Sequence, residues 1–357
     1  MSRNVTGRQK KLLAGLEYLA PMTRFYLLII LPLLLFACGG EPTAAEQPPA
    51  AESAPVGWQE MTAADDSRPT ARHEAAFVKA GEKFYLLGGR GIKPVDIYDP
   101  ATKKWTEGAP SPVEIHHFQP IVHNGKILLL GAMTGGYPGE TPLPEIHIYD
   151  PAADAWSTGA TIPEDRRRGG AGAVVHDGKI YLVCGIVDGH RGGHVAWLDE
   201  YDPATDSWRV LPDAPRPRDH FQAVAHDNKL YALAGRTTVA ATNPFANTIG
   251  EVDVFDFATN EWSTLTDTLP THRAGNATAV LNDEILVLGG ESVQLVAHSE
   301  VEALSPEKGT WRTLDSLSRG RHGTGVVEHA GQLVMASGCG NHGGSPELDD
   351  MIAWTIR

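Results

Sequence analysis

The sequence predicts an all-β chain made of six repeats of a four-stranded unit, closed into a propeller. Three observations carry that expectation. Tryptophans recur at Trp58, Trp105, Trp156, Trp208, Trp262 and Trp311, at intervals of 47, 51, 52, 54 and 49 residues. The last five follow a turn of Asp-Pro character or a near variant: Tyr98-Asp99-Pro100, Tyr149-Asp150-Pro151, Tyr201-Asp202-Pro203, Phe255-Asp256-Phe257 and Leu304-Ser305-Pro306. Six apolar runs ending in small residues lie at 84–89, 127–132, 180–185, 230–235, 285–290 and 333–338. A unit of about 50 residues cannot bury both of its faces alone, so neighbouring units must stack.

Within each unit the strands are expected to run outward from the axis as a, b, c and d. Turns such as Asn124-Gly125 and Asp177-Gly178 suit the positive φ of two-residue hairpins and join a to b. The tryptophan marks d. The last unit runs short, because only 351–356 remains after Gly338 to form a strand. Gly57-Trp58-Gln59-Glu60-Met61 reads as an orphan outer strand at the other end. Donating it to the sixth unit closes the ring and removes sheet edges that invite aggregation. Trp354 then stands in strand c, where other units have Tyr or Phe.

The small pairs complete as Gly88-Gly89 and Gly289-Gly290 and relax to Gly131-Ala132, Cys184-Gly185, Ala234-Gly235 and Ser337-Gly338. Followed by Tyr-Asp-Pro and then Trp, they are markers of the kelch repeat. Over residues 57–357 the chain resembles that family, which implies a six-bladed kelch-type β-propeller. By this map Cys184 and Cys339 fall in opposite blades as small packing residues, since a disulfide needs Cα atoms within about 7 Å.

The first 56 residues read as an address and a tether. Residues 1–21 fit no part of a leader, and Met22 offers an alternative start. Residues 22–37 run charged, then apolar, then small, as a secretory signal does. Leu35-Phe36-Ala37-Cys38 resembles the lipobox of bacterial lipoproteins, which implies lipidation at Cys38 and, with Gly39 next, passage to the outer membrane. The alternative is a cleaved leader with an incidental cysteine. Residues 38–56 are rich in Pro, Ala and Glu and are expected to be a flexible spacer. The net charge of the chain is −14. Residues 1–37 hold five basic side chains and one acidic, so the remainder is more acidic still. Such a body repels nucleic acid and anionic membrane.

In a four-stranded blade the d–a and b–c connections emerge on one face, and here they collect the polar chemistry. The d–a connections supply Arg72-His73, His116-His117, Arg168, Arg218-Asp219-His220, Arg273 and Arg321-His322. Arginine repeats at similar register in five blades, which reads as framework pairing with acids on the neighbouring blade. The alternative is an anion-attracting ring, since a guanidinium fork suits carboxylates. Blade-specific residues are better functional candidates. His117-Phe118-Gln119 and His220-Phe221-Gln222 are matching triplets in blades 2 and 4. The b–c loops of blades 3 and 6 carry His190 and His194, and Asn341 and His342, among glycines. Blade 4 has a long loop over 236–250, with Arg236, Asn243 and Phe245 as a lid or an apolar wall. These histidines share a face without a tight ligand motif, so no metal and no cofactor is expected.

Copper-oxidase members of the family build their site on a tyrosine crosslinked to cysteine. Cys184 and Cys339 sit at packing positions, so no copper chemistry carries over. The chain is also similar in size, compartment and blade count to the bacterial N-acetylneuraminate epimerases. That resemblance implies mutarotation of an acidic sugar by a general acid or base, with His117, His220, Glu145 or Glu291 as candidates. The leading expectation is a monomeric, lipid-anchored binding module that presents the Arg/His/Gly-loop face to a small molecule or an envelope protein. The alternative is a sialic acid mutarotase.

Overall fold

The computed structural model describes residues 57–356. The leader, the signal segment, Cys38 and the tether to residue 56 lie outside the described residues. Six antiparallel four-stranded sheets form, each ordered a-b-c-d. Blade 1 comprises Ala75–Ala80, Lys83–Gly88, Val95–Asp99 and Lys104–Gly108. Blade 2 comprises Gln119–His123, Lys126–Leu130, Glu145–Asp150 and Ala155–Thr161. Blade 3 comprises Gly172–His176, Lys179–Val183, Leu198–Asp202 and Ser207–Leu211. Blade 4 comprises Val224–His226, Lys229–Ala232, Asp253–Asp256 and Glu261–Thr264. Blade 5 comprises Ala277–Leu281, Glu284–Leu288, Val301–Ser305 and Thr310–Thr313. In blade 6, Val326–His329, Gln332–Ala336 and Met351–Thr355 are completed by Gln59–Glu60 from the start of the domain. The expected ring closure is present, and Trp354 lies in strand c.

Stacking of blades is where the apolar surface goes. Alternate residues of strand b point to opposite faces. Phe84 and Leu86 join residues of blade 6, while Tyr85 and Leu87 join blade 2. Six apolar clusters result, one at each blade boundary, so the core is itself a closed ring. The marker tryptophans pair across strands with the strand-c aromatic, as Tyr98 with Trp105 and Tyr201 with Trp208. The indole N–H of Trp58, Trp156 and Trp262 also reaches back to a carbonyl at the exit of the preceding blade, at 3.2, 3.0 and 2.8 Å. In the Tyr-Asp-Pro turns the aspartate accepts backbone N–H groups two residues on, as Asp99 does from Ala101 at 2.9 Å.

Apart from Gly88, which ends strand b of blade 1, the small pairs lie just outside strand b, where the chain turns left-handed. Cys184 and Gly185, for example, have φ of 56° and 116°. The second position also packs against the incoming d–a connection. A Cβ on Gly185 would meet the Gly169 carbonyl at 2.9 Å, and one on Gly290 the Ala274 carbonyl at 2.8 Å. Cys184 and Cys339 are buried free thiols. Burial pushes the Cys184 thiol up to about 12.

Closure by Trp58 has a measurable consequence. Trp58 is 5% exposed within the cluster between blades 5 and 6. Replacing it with alanine is expected to cost about 3–5 kcal/mol, the usual range for a buried aromatic. Equilibrium denaturant melts of the variant measure this.

Candidate functional site

Each d–a connection makes the same local structure. Its first residue is the repeated arginine, and Arg72, Arg168, Arg218, Arg273 and Arg321 are all 0% exposed. Arg168 donates to the carbonyls of Leu182, Cys184 and Arg166 and to Asp199 at 2.5 Å. Arg72, Arg218, Arg273 and Arg321 similarly meet Asp96, Asp253, Glu302 and Asp350. These acids belong to the same blade as their arginine or flank its strand c. The expected pairing with a neighbouring blade is thereby corrected: one guanidinium pins its own b and c strands. Buried and each paired with an acid in this way, none of the five can form an anion-attracting ring. Blade 2 shows the logic by omission. Ile115 stands in the arginine position, and His147 stands two residues before Tyr149, where Asp96, Asp199 and Asp253 precede their aromatics. Both partners are gone together, which avoids an orphaned buried charge.

Two residues beyond the arginine position, every connection turns left-handed. Glu74, His117, Gly170, His220, Gly275 and Gly323 have φ of 54°, 53°, 58°, 53°, 64° and 66°. A ring of backbone hydrogen bonds links these residues around the axis. His117 N donates to Glu74 O, Gly170 N to His117 O, His220 N to Gly170 O, Gly275 N to His220 O and Gly323 N to Gly275 O. Ala75 N closes the ring on Gly323 O at 3.1 Å. Three positions use glycine, as this conformation favours, and three carry large side chains at a strain of about 1–3 kcal/mol each. Those three side chains converge with His190 from the b–c loop of blade 3.

The distances are short. His117 Nε2 lies 2.7 Å from Glu74 Oε1, and His190 Nε2 lies 3.2 Å from His220 Nε2. The four groups offer donor atoms all within 4.8 Å of one another. Around them, His220 Nδ1 contacts Asp219, His190 Nδ1 lies 3.0 Å from Glu140, and His117 Nδ1 lies 2.6 Å from His116 Nδ1. Arg90 bridges Glu74 and Glu140 at 2.6 Å each. Burial, outweighing the nearby Glu74, pushes His117 well below the usual imidazole range. Burial and Arg236 bring His220 to about 4. Against burial, the neighbouring His322, Arg236 and the Gly343 N–H hold Glu291 at about 2.

A cavity of about 450 Å³ opens over this cluster, lined by His73, Glu74, Arg90, Tyr137, His190, Arg236, Phe245 and Glu291. Below it a narrow channel is lined by Glu74, His117, His220, Asn276 and His322. Both side-chain polar atoms of Asn276 are buried there without a partner. Gln119 and Gln222, the ends of the matching triplets, stitch the innermost strands together. Gln119 bonds Ala173 and Ala223, and Gln222 bonds Thr278 and Thr324.

His116, His117, His190, His220, Arg236 and His322 are thus brought together with Glu291. Arg236 is spent on Glu291 at 2.6 Å. His194 binds the Thr238 carbonyl, His342 stacks on Phe245 at 4.3 Å, and Asn341 uses its carbonyl to accept from His322. Glu145 is a correction: it starts strand c of blade 2, opposite Thr161, and lines neither cavity. The histidines that share this face without a tight ligand motif in the sequence nevertheless converge, because His117, His190 and His220 meet. Sequence reasoning missed Glu74, Arg90, Glu140 and Asn276. Glu74 was recoverable, since aligning connections on the arginine sets it level with His117 and His220. Arg90 was recoverable too, standing directly after its small pair as Arg236 and Glu291 do after theirs, whereas Glu140 carried no such signal.

Two substitutions separate site from framework. Glu74→Gly and His117→Gly are expected to leave stability unchanged or raise it by up to about 2 kcal/mol through relief of the left-handed strain. Arg273→Ala strands Glu302 and is expected to cost about 3–5 kcal/mol. Chemical denaturation of the three variants beside the parent checks both directions.

Known proteins share this architecture. A family model for the Attractin/LZTR1 β-propeller matches residues 50–290, and one for the kelch motif matches 272–318. Kelch-like protein terF of Aspergillus terreus is 30% identical over 340 residues, which is 88% of this chain and 71% of that protein. Kelch-like protein 23 of Homo sapiens is 25% identical over 259 residues, covering 69% of this chain and 42% of its own length. The solved structure of YjhT aligns with a TM-score of 0.68 at 17% identity, covering 81% of this chain and 96% of that one, a likeness of fold.

Proposed function

We propose that this chain, which belongs to the kelch-repeat β-propeller family, is an exported, lipid-anchored envelope protein that binds and transforms a small polar molecule of sugar size. The fold by itself leaves protein docking and small-molecule chemistry both open. The observation that favours the second is burial of the distinctive side chains. His117, His190 and His220 are 5%, 4% and 8% exposed, too little to meet a protein surface; His190 lines the upper cavity, and His117 and His220 line the channel below it. At about 450 Å³ the cavity falls in the range of small-ligand sites, about 300–1,000 Å³. Strained backbone that carries reactive groups concentrates at sites of chemistry.

The residues suit proton transfer on a hydroxyl-rich ligand. His220, backed by Asp219, and His117, backed by His116, are imidazoles oriented through Nδ1 with Nε2 turned inward. Tyr137 at the rim and Phe245 on the blade 4 loop offer aromatic walls. The alternative of a sialic acid mutarotase draws support from the propeller fold and from Glu291 at the site. The framework arginines lend it none.

A thermal-shift panel of neutral and acidic monosaccharides on the full chain tests the ligand class. A ligand at about 100 times its Kd should add about 2.7 kcal/mol of stability. The shift should shrink in Tyr137→Ala. No response from any sugar, together with a stable envelope-protein complex at this face, would sink the small-molecule reading in favour of docking. Anchoring is tested separately: Cys38→Ser should move the protein from the membrane pellet to the soluble fraction.

A further inference from the structure

We propose that Glu74, His117, His190 and His220 bind one divalent transition-metal ion, of the zinc class that imidazole and carboxylate ligands suit. The inference concerns the same cavity as the small-molecule reading but stands without it, whatever enters from above.

It follows from where the protons must sit. His116 Nε2 lies 3.1 Å from the Gly135 carbonyl oxygen, which can only accept, so that nitrogen carries the proton. Nδ1 of neutral His116 is then an acceptor, and His117 donates to it from Nδ1 at 2.6 Å. Nε2 of neutral His117 is left bare. It faces Glu74 Oε1 at 2.7 Å and has no partner in hydrogen-bond geometry. The Asp219 carboxylate fixes the His220 proton on Nδ1, which bares Nε2. Glu140 lies 3.0 Å from His190 Nδ1, outside hydrogen-bond geometry, and draws the proton to that side by charge alone. Three bare imidazole nitrogens and one carboxylate therefore converge in a buried space.

Such an arrangement opposes lone pair to lone pair. A proton shared between His190 and His220 would relieve that pair and leave His117 against Glu74. One metal ion relieves both contacts at once, by taking a donor atom from each of the four groups. Bonds of about 2.0–2.1 Å at tetrahedral angles set ligand nitrogens about 3.3 Å apart. His190 and His220 stand at 3.2 Å, His117 and Glu74 at 2.7 Å, and all four donor atoms lie within 4.8 Å of one another, so small side-chain shifts complete the shell. The outer groups also agree, because metal-ligating histidines hand their other N–H to a carboxylate or similar acceptor. The charges around the cluster call for a cation. Four acids, Glu74, Glu140, Asp219 and Glu291, stand against two guanidiniums, Arg90 and Arg236. Glu74 and His190 also line the upper cavity, so one side of the ion faces it. That side would accept a hydroxyl, carbonyl or carboxylate oxygen of a ligand.

The experiment uses the full chain, stripped with chelator and titrated with Zn²⁺ by calorimetry and with Co²⁺ by visible absorption. One equivalent per chain is expected. His117→Gly and His220→Gly should each weaken binding at least 100-fold while keeping the unfolding midpoint. Gly170, Gly275 and Gly323 show that the backbone takes glycine at this position. Asp219→Asn should weaken binding by about 10–100-fold. Failure of the parent chain to bind either ion overturns the proposal, and so does undiminished binding by both glycine variants. Metal binding with a flat sugar panel would remove the small-molecule reading alone, and a sugar response without metal binding would remove the metal alone.

Discussion

Six backbone hydrogen bonds running around the axis are the constraint on which the rest depends. Each joins the d–a connection of one blade to that of the next, and Ala75 to Gly323 closes the circle. A propeller must hold its innermost strands at a fixed separation while the outer strands splay. The ring achieves this with main-chain atoms, at the cost of a left-handed residue in every connection. That residue is where the chain comes nearest the axis, so any side chain there is directed at the centre. Fold closure and the site therefore share the same six positions.

The arginines make this arrangement possible. In five of the six connections a buried guanidinium fixes the entry to the left-handed turn through carbonyls and a strand-c acid of its own blade, and blade 2 makes the same turn with Ile115 in that place. Repetition is thus the mark of framework and departure from repetition the mark of chemistry. Blade 2 supports both halves. It gives up the arginine and the matching acid as a pair, and in their place the chain carries His116 and His117, one orienting the other.

Much of the fold was legible, because its signals are local and repeated. Tryptophan spacing, Tyr-Asp-Pro turns and the orphan strand around Trp58 each report a requirement that recurs at every blade. Cys184 was legible for the same reason, lying at a position filled elsewhere by glycine, alanine or serine, whereas Cys339 stands level with Met133, Ile186, Arg236 and Glu291. The site was half legible. His117, His190, His220 and Glu291 stood out against the repeat, yet their convergence did not, since it depends on how far each loop leans over the axis. Glu74 hid behind Arg72-His73, which drew attention to the two residues that turn out to be framework and rim. Glu140 sits between short strands of the blade 2 loop, where no repeat gives it a register. Glu145, a neighbour in sequence, has entered strand c and points elsewhere.

The distribution of glycine around the ring gives the site its asymmetry. Blade 3 has Gly170 in its connection, and a Cβ there would already touch the His220 backbone nitrogen at 3.4 Å. Its contribution comes instead from above, through His190 on a loop of its own. Blades 5 and 6 also keep glycine, and beside them the channel holds Asn276 with both polar atoms unpartnered. The four converging groups thus come from blades 1 to 4, while blades 5 and 6 contribute Glu291, Asn276 and His322 around them. A ring with six large residues would have been crowded, and one with six glycines would have been inert. Placing three large residues and one overhanging loop leaves a cluster beside a space, which is the arrangement a reacting ligand requires.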